Sequence, residues 1–140
     1  MSINAEKFKS YLDGKNIKYD YHEATEKTAE AIIVGTAGNN ADEIRVIFFF
    51  DDDANSVNVK SFSVAKVPSN KLMDAYVKVN ELNYEYRWVK FYIDDDNEIT
   101  VSGDAIVDPD SAGEELFEML ARYMKIIDDV YPALMKVIWA

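Results

Sequence analysis

The sequence has no cysteine, one histidine, three prolines and five glycines in 140 residues. Without cysteine, a disulfide scaffold, a thiolate zinc site, an iron–sulfur cluster and a cysteine nucleophile are all excluded. Long apolar runs are also missing, because the longest, residues 46–50, is far below the roughly 20 residues of a membrane helix. The N-terminus lacks the basic stretch and apolar core of a secretory signal. We therefore expect a cytoplasmic protein without a membrane partner.

Positive charge is scarce, with 15 basic against 26 acidic residues, a net charge of −11 and a pI near 4.4. Residues 1–70 carry 8 basic and 11 acidic residues (8 − 11 = −3), and residues 71–140 carry 7 and 15 (7 − 15 = −8). Phosphate contacts need a basic patch, so we expect no nucleic-acid partner. The acidic second half keeps one alternative open, an immunity-type antagonist of a basic protein, whose binding would weaken steeply with salt.

What the sequence does contain is typical of a folded domain. Apolar residues make up 49% and aromatic residues 13% of the chain, which is a globular composition. The length fits a single domain over residues 1–140.

Periodicity in the first half predicts one helix and four strands. Asn4 can cap the helix over residues 4–13 and Gly14 can end it. The predicted strands cover residues 17–22, 31–34, 43–50 and 56–67. Residues 43–50 are apolar on both faces, which predicts an interior strand covered on its second side as well. In residues 56–67 the apolar parity changes, which predicts a bulge near Lys60 and Ser61.

The second half predicts helix, strand hairpin and helix. Pro68 opens a helix that ends near Asn83, with a buried stripe of Leu72, Met73, Tyr76, Val79 and Leu82. Strands follow at residues 87–93 and 99–105. The last helix starts near Ser111, and Pro132 should kink or break it at residues 129–131. Its apolar seam, which we expect to pack on the sheet, is Phe117, Leu120, Met124, Ile127, Tyr131, Leu134 and Ile138.

The order of these elements, α-β-β-β-β-α-β-β-α, predicts an α+β fold. Strands and helices do not alternate as they do in parallel sheets, so we expect an antiparallel sheet of five or six strands with three helices.

The two acidic turns are the obvious metal candidates. Asp51, Asp53 and Asn55 match the first ligands of a calcium loop, and residues 94–98 repeat the spacing. Both turns lack the following glycine and the bidentate glutamate of such a loop. Asp and Asn also favour tight turns through their own backbone bonds, so we interpret both segments as hairpin turns and predict no metal site.

No motif identifies a reaction. His22 is the only histidine and we interpret it as a surface residue of a strand. Residues 35–38 follow a strand but lack the Gly-Lys-[Ser/Thr] of a phosphate loop. We therefore predict no catalytic residue and no cofactor. A small hydrolase with an unrecognised site stays open as an alternative, and it would need a pocket with converging titratable groups.

Two aromatic residues are the candidate contact site. Trp88 and Tyr92 share one predicted strand face, opposite Val89, Phe91 and Ile93. If helices cover only one side of the sheet, both aromatics stay partly exposed, as anchors of protein interfaces often are.

The stretch from Val67 to Asp104 resembles the YbjN family of small bacterial domains similar to sensory-transduction regulators. The resemblance rests on Val67-Pro68, a helix ending at residues 79–83, the strand 87–93 and the acidic turn 94–98. The opening helix with residues 14–19 and the acidic last helix with Pro132 also fit.

The resemblance implies a fold similar to type III secretion chaperones, which are commonly dimeric and acidic, and a binding role without a cofactor. The segment Thr25–Asn40 departs from the family pattern and is predicted to add a strand at the sheet edge. We thus expect a non-enzymatic protein-binding module, chaperone-like or regulatory, that binds a polypeptide partner and forms a homodimer.

Overall fold

The computed structural model describes residues 1–51 and 55–140. Three helices, one short 3-10 turn (Ser69–Lys71) and six strands make up the fold. In chain order they are α1 (Ile3–Gly14), β1 (Asp20–His22), β2 (Glu30–Thr36), β3 (Ile44–Phe50), β4 (Ser56–Lys66), α2 (Leu72–Glu85), β5 (Lys90–Ile93), β6 (Glu98–Ile106) and α3 (Ala112–Trp139).

The six strands form one antiparallel sheet in the order β1-β2-β3-β4-β6-β5. The predicted α+β class and element order are therefore confirmed. The expected edge strand in residues 25–40 is wrong in its position, because β2 lies between β1 and β3 and β1 forms the edge. Seven paired residues of β2 and β3 place this added strand inside the sheet.

One face of the sheet carries the hydrophobic core. Directly opposed residues of antiparallel strands point to the same side, so register assigns the faces. One core row runs across the sheet through Tyr21, Ile32, Phe48, Val59 and Gly103. α1 contacts β2, and α3 contacts β3 and β4, so both helices lie over this face.

The helix α2 lies beside β5 and also contacts α3. Its inner residues Ala75, Val79 and Leu82 belong to the same core. Asn83 binds the backbone of β5 directly: its Oδ1 accepts from Phe91 N at 2.7 Å and its Nδ2 donates to Phe91 O at 3.0 Å. All three helices of residues 1–51 and 55–140 thus lie on the core side or at the β5 edge, and none of them lies over the opposite face.

Several local predictions need correction. The register of β4 against β6 shifts between Ser61 and Ala65, so the predicted bulge exists but lies later than Lys60, with Ser63 at a positive φ of 53°. Residues Ile47 and Phe49 of β3 are only half-buried, because none of the described helices packs on the second face of that strand. The first helix is capped by Ser2, whose side chain accepts from Ala5 N, rather than by Asn4, which is buried.

The predicted stripe of α2 is correct for Val79 and Leu82 and wrong for two members. Met73 and Tyr76 are 75% and 51% exposed, because the helix is apolar on two sides and Ala75 faces the core instead. The seam of α3 packs on the sheet side as expected, with Leu120, Ile127, Leu134 and Ile138 buried. Phe117, Met124 and Tyr131 are half-buried, whereas Leu116, Tyr123, Ile126 and Val130 complete the buried side of this helix.

Of the two predicted effects of Pro132, a kink or a break, the break does not occur, because α3 runs on from Ala112 to Trp139. A proline lacks the N–H that would bond the carbonyl four residues earlier, which here is that of Asp128. The side chain of Asn40 supplies the missing donor, with Nδ2 at 3.1 Å from Asp128 O. The loop before β3 thereby compensates for the proline, and α3 continues to Trp139.

The same loop encloses the carboxylate of Asp128. Backbone N–H groups of Asn39, Asn40 and Ala41 donate to it at 3.1, 2.8 and 3.0 Å. These bonds, from Ala41 and Asn40 above all, hold the pKa of Asp128 below its usual value, and Lys125 adds to the effect. A Cβ on Gly38 would lie 2.2 Å from Asp128 Oδ1, so the loop needs glycine for this close approach.

We expect Asp128→Asn to lower the melting temperature at neutral pH, because an amide cannot accept all three backbone bonds as a carboxylate does. The pKa is depressed in the folded state, so the contribution of Asp128 is complete above the unfolded value near 4 and is lost as the pH falls through the folded value. Thermal unfolding of both chains between neutral pH and about pH 3 should therefore show a difference that shrinks on acidification. A difference that is constant with pH would contradict this role.

Candidate protein-interaction surfaces

The uncovered face of the sheet, called the open face below, carries an apolar band. Its middle is formed by β2, β3 and β4. The apolar members of the open face are Ala31, Ile33, Ile47, Phe49, Phe62, Tyr92 and Ile106. Phe49 and Phe62 meet edge to face, with ring centroids 6.4 Å apart. Phe62 is 46% exposed and Ile33, Ile47, Phe49 and Tyr92 are half-buried, so this band is accessible.

The open face also carries several basic residues of this acidic chain. The register places seven charged residues on this face, the basic Arg45, Lys60, Lys66 and Lys90 and the acidic Asp20, Glu98 and Asp104. Four basic against three acidic residues contrast with the net charge of −11 of the whole chain. Lys60 Nζ lies 5.5 Å from the ring centroid of Phe62, a cation–π contact.

The structure separates the two predicted contact residues. Tyr92 lies on the open face, opposite the fully buried Thr100 of β6. Trp88 precedes β5, which begins at Lys90, and its backbone has a positive φ of 79°, outside the extended conformation of regular strands. The predicted strand bound at residue 87 is therefore wrong, and the two residues do not share one strand face. Their roles at an interface stay predictions.

Trp88 lies in a small basic cluster near the end of α2. Its ring is 57% exposed and lies 5.0 Å from the guanidinium of Arg87 and 4.7 Å from that of Arg122. Arg122 also pairs with Glu118 at 3.6 Å, and Lys125 pairs with Asp129 at 3.1 Å. The charges around the ring are thus partly neutralised within the protein itself.

The outer side of α2 forms a second apolar surface, called the α2 stripe below. It comprises Met73, Tyr76, Val77, Asn80 and Tyr84. At 3.6 residues per turn these five positions fall within an arc of about 100°. None of them is charged, and the exposed fractions of Val77 and Tyr84 are 55% and 92%. The charged residues Asp74, Lys78, Glu81 and Glu85 lie together on the adjacent flank, where Lys78 and Glu81 pair at 2.9 Å.

The second acidic turn is a hairpin turn, as predicted. Asp94 accepts bonds from Asp96 N, Glu98 N and the Thr100 hydroxyl at 2.9, 3.0 and 3.2 Å. The backbone bonds, that from Glu98 first, hold its pKa below the usual value. Most of the first turn, residues 52–54, lies outside the described residues. Within residues 1–51 and 55–140 no group of three or more acidic or histidine side chains is placed to hold a metal ion.

Glu30 joins the start of the chain to the sheet. Burial raises its pKa, but bonds from the Ser2 hydroxyl at 2.6 Å, from the Tyr21 hydroxyl and from Ser2 N outweigh burial, so the pKa is lowered. Burial, with Glu30 as hydrogen-bond partner, raises the pKa of Tyr21 to about 12. Glu30, like Asp94 and Asp128, therefore uses its charge to hold backbone and hydroxyl groups in the fold. His22 is exposed on β1, as predicted.

A family comparison identifies the fold that carries these surfaces. Residues 4–136 match the YbjN family, which is described as a putative bacterial sensory transduction regulator. The chain belongs to the YbjN family. The suspected resemblance, which rested on the order of elements and the segment from Val67 to Asp104, is thereby confirmed over nearly the whole chain. The family description supports a regulatory role in the broad sense.

Among solved structures the chain is similar to the crystal structure of YbjN from E. coli, described as a putative transcription regulator. The TM-score is 0.60 at 13% sequence identity, and the match covers 93% of each chain. At this identity the likeness shows the fold alone. No curated protein matches the sequence. In the part of the chain that the structure describes, no helix is long and apolar enough to cross a membrane.

Sequence reasoning missed the α2 stripe because it assigned Met73 and Tyr76 to the core. A signal was present, since Val77 and Tyr84 continue the outer side at helical spacing and α2 is apolar on two sides. When a helix has two apolar sides and packs one of them on the core, the other is either covered by a further element or partner or left exposed. The cations of the open face gave no local signal, because Arg45, Lys60 and Lys90 come together only through strand order.

Proposed function

We propose that this protein is a non-enzymatic regulator that works through protein–protein contact and that its functional unit is a homodimer. The observation that carries the proposal is the exposed α2 stripe. Met and Tyr are enriched in protein interfaces, and an exposed apolar row with no charge is typical of a surface that a partner covers. The family description supports a regulatory role.

A second copy of the chain fits the α2 stripe better than other partners do. Each chain carries a net charge of −11, so two copies repel each other, and an interface without charged residues avoids adding close contacts between like charges. The α2 stripe is such a surface, and it is about 16 Å long from Met73 to Tyr84. Two such helices packed antiparallel about a two-fold axis near Val77 and Asn80 would bring Met73 close to Tyr84 of the partner subunit.

The end of α3 extends this surface. Lys71, just before α2, donates from Nζ to the backbone oxygen of Ala140. This contact places Trp139, which is 79% exposed, at the N-terminal end of α2. A large aromatic residue at the end of an apolar row supports an interface that is wider than one helix pair.

The test is the mass of the particle in solution. Native mass spectrometry or light scattering should give twice 16.0 kDa for the unaltered chain. Val77→Glu should weaken dimerisation by about a hundredfold, because two carboxylates would be buried at the two-fold axis. Ile3→Glu is the matched control, since it adds the same charge at an exposed apolar position of α1 and should leave the dimer intact.

Two results would contradict the proposal. A monomer at all concentrations for the unaltered chain would exclude the homodimer. A dimer that Val77→Glu leaves unchanged would show that the copies meet through another surface. Thermal unfolding of both variants controls for folding, because substitutions at exposed helix positions usually change stability by about 0.5 kcal/mol or less.

A further inference from the structure

The open face of the sheet is distinct from the α2 stripe, and its charges point to a different partner. In the register of the sheet one row runs through Ile47, Lys60, Ser102 and Lys90. Lys60 and Lys90 are two strands apart, about 10 Å, with only the serine between them. Arg45 lies on β3, two residues before Ile47, and therefore on the same face.

Acidic residues lie near these three cations but form no ion pair with them. Of the ion pairs among the described residues, none involves Arg45, Lys60 or Lys90. Asp20 and Glu43 line the same surface depression as Arg45, and Asp104 lies two residues along β6 from Ser102. Asp20 lies on the edge strand β1, and the Asp104 carboxylate accepts a bond from Asn58 Nδ2 at 2.8 Å. Glu98 lies opposite Lys66 at the start of β6.

The cations surround side chains that can bind apolar groups. Phe62, Phe49 and Ile47 provide the apolar band beside Lys60. Thr100 and Ser102 are buried, although none of the described helices lies over them. The face therefore carries three cations outside the ion pairs of the described residues, together with accessible aromatic and aliphatic surface.

We propose that the open face binds an acidic polypeptide segment with aromatic or aliphatic side chains. Two or three carboxylates of such a segment would lie against Arg45, Lys60 and Lys90, and its apolar side chains would cover Phe49 and Phe62. The proposal goes beyond the homodimer, because it concerns another surface and another class of partner. Binding would also relieve the repulsion between Arg45 and Lys60, which lie on the neighbouring strands β3 and β4.

An acidic peptide fits this face better than a nucleic acid does. A nucleic-acid strand carries a charge on every nucleotide and would extend past the three cations over an acidic molecule with a net charge of −11. A peptide can place a few carboxylates at the centre of the face and none beyond it. Local charge complementarity of this kind can make binding specific for an acidic peptide even though the protein as a whole is acidic.

The experiment measures fluorescence anisotropy of a labelled short peptide that alternates glutamate and phenylalanine. A lysine–phenylalanine peptide and a single-stranded oligouridine serve as the competing probes. The unaltered chain should bind the acidic peptide at low salt, and added salt should weaken the binding. The double variant Lys60→Glu/Lys90→Glu should lose about tenfold or more in affinity.

The matched control carries the same change in net charge at two other exposed lysines, Lys7→Glu/Lys27→Glu. It should lose much less affinity, because these positions lie on α1 and in the loop between β1 and β2. An equal loss in both double variants would overturn the proposal, since it would show only a long-range charge effect. Binding of oligouridine or of the lysine peptide in preference to the acidic peptide, or no binding at all, would overturn it as well.

Discussion

Gly103→Ala should destabilise the protein by about 1–3 kcal/mol, the usual cost of an added methyl group in a packed core. Gly103 lies on the core face of β6, opposite Val59. A Cβ at this position would be 2.2 Å from the hydroxyl oxygen of Tyr123 and 3.0 Å from the carbonyl oxygen of Trp88. Tyr123 is fully buried and donates to Val59 O at 3.4 Å, so its ring has no free space to move into. Urea unfolding measures the loss.

Two further variants make this prediction specific. Gly14→Ala adds the same methyl group at the end of α1, where it would meet no atom within 4 Å, and should leave the stability unchanged or slightly raised. Tyr123→Phe removes the oxygen that the new Cβ would contact. Gly103→Ala should therefore cost less in the Tyr123→Phe chain than in the unaltered chain, as a double-mutant cycle measures. Equal costs in both chains would show that the added methyl group is not destabilising through contact with the Tyr123 hydroxyl.

Phe48→Ala should lower the free energy of unfolding by about 3–5 kcal/mol, the range for truncating a buried aromatic residue. Phe48 is fully buried on the core face, between Ile32 and Val59 in the register. Its ring meets that of Phe8 of α1 edge to face, with centroids 4.6 Å apart. The substitution thus removes a contact between sheet and helix as well as apolar area, and chemical unfolding is the measurement.

Phe62→Ala is the matched control on the opposite face of the sheet. Phe62 is 46% exposed, so its truncation should cost about 1 kcal/mol or less. Comparable losses at both positions would mean that the open face is covered in solution, either by the same molecule or by a second one. Repeating the pair of measurements at several protein concentrations distinguishes the two situations.

The order and type of the elements could be predicted from the sequence because each has its own periodicity and terminators. The alternation in β3 and β4, the acidic turn at Asp94 and the long apolar seam of α3 are local patterns. Which face of an element is buried is a different question. Residues 44–50 are apolar on both faces, and only the placement of α1 and α3 decides that Phe48 is buried and Phe49 accessible.

The failures of prediction at the candidate surfaces have the same origin. Met73 and Val79 are equally apolar, and the helix pattern does not say which of them faces the core. Trp88 continues the alternation of the following strand, but its positive φ takes it out of the sheet. The bond between Asn40 and Asp128, which keeps α3 continuous through Pro132, joins residues 88 positions apart and leaves no local signal.

The contact of Asn83 with both backbone groups of Phe91 has a consequence for association at high concentration. An unpaired strand edge is a template on which further chains can add, which leads to fibres and aggregates. Asn83 occupies the free donor and acceptor of Phe91 at the middle of β5, and the other edge of the sheet, β1, offers only three residues. Addition of further strands is therefore blocked at the β5 edge, and at the β1 edge few backbone groups are available for pairing. Contacts between molecules are left to the faces, where assembly stops once a face is covered.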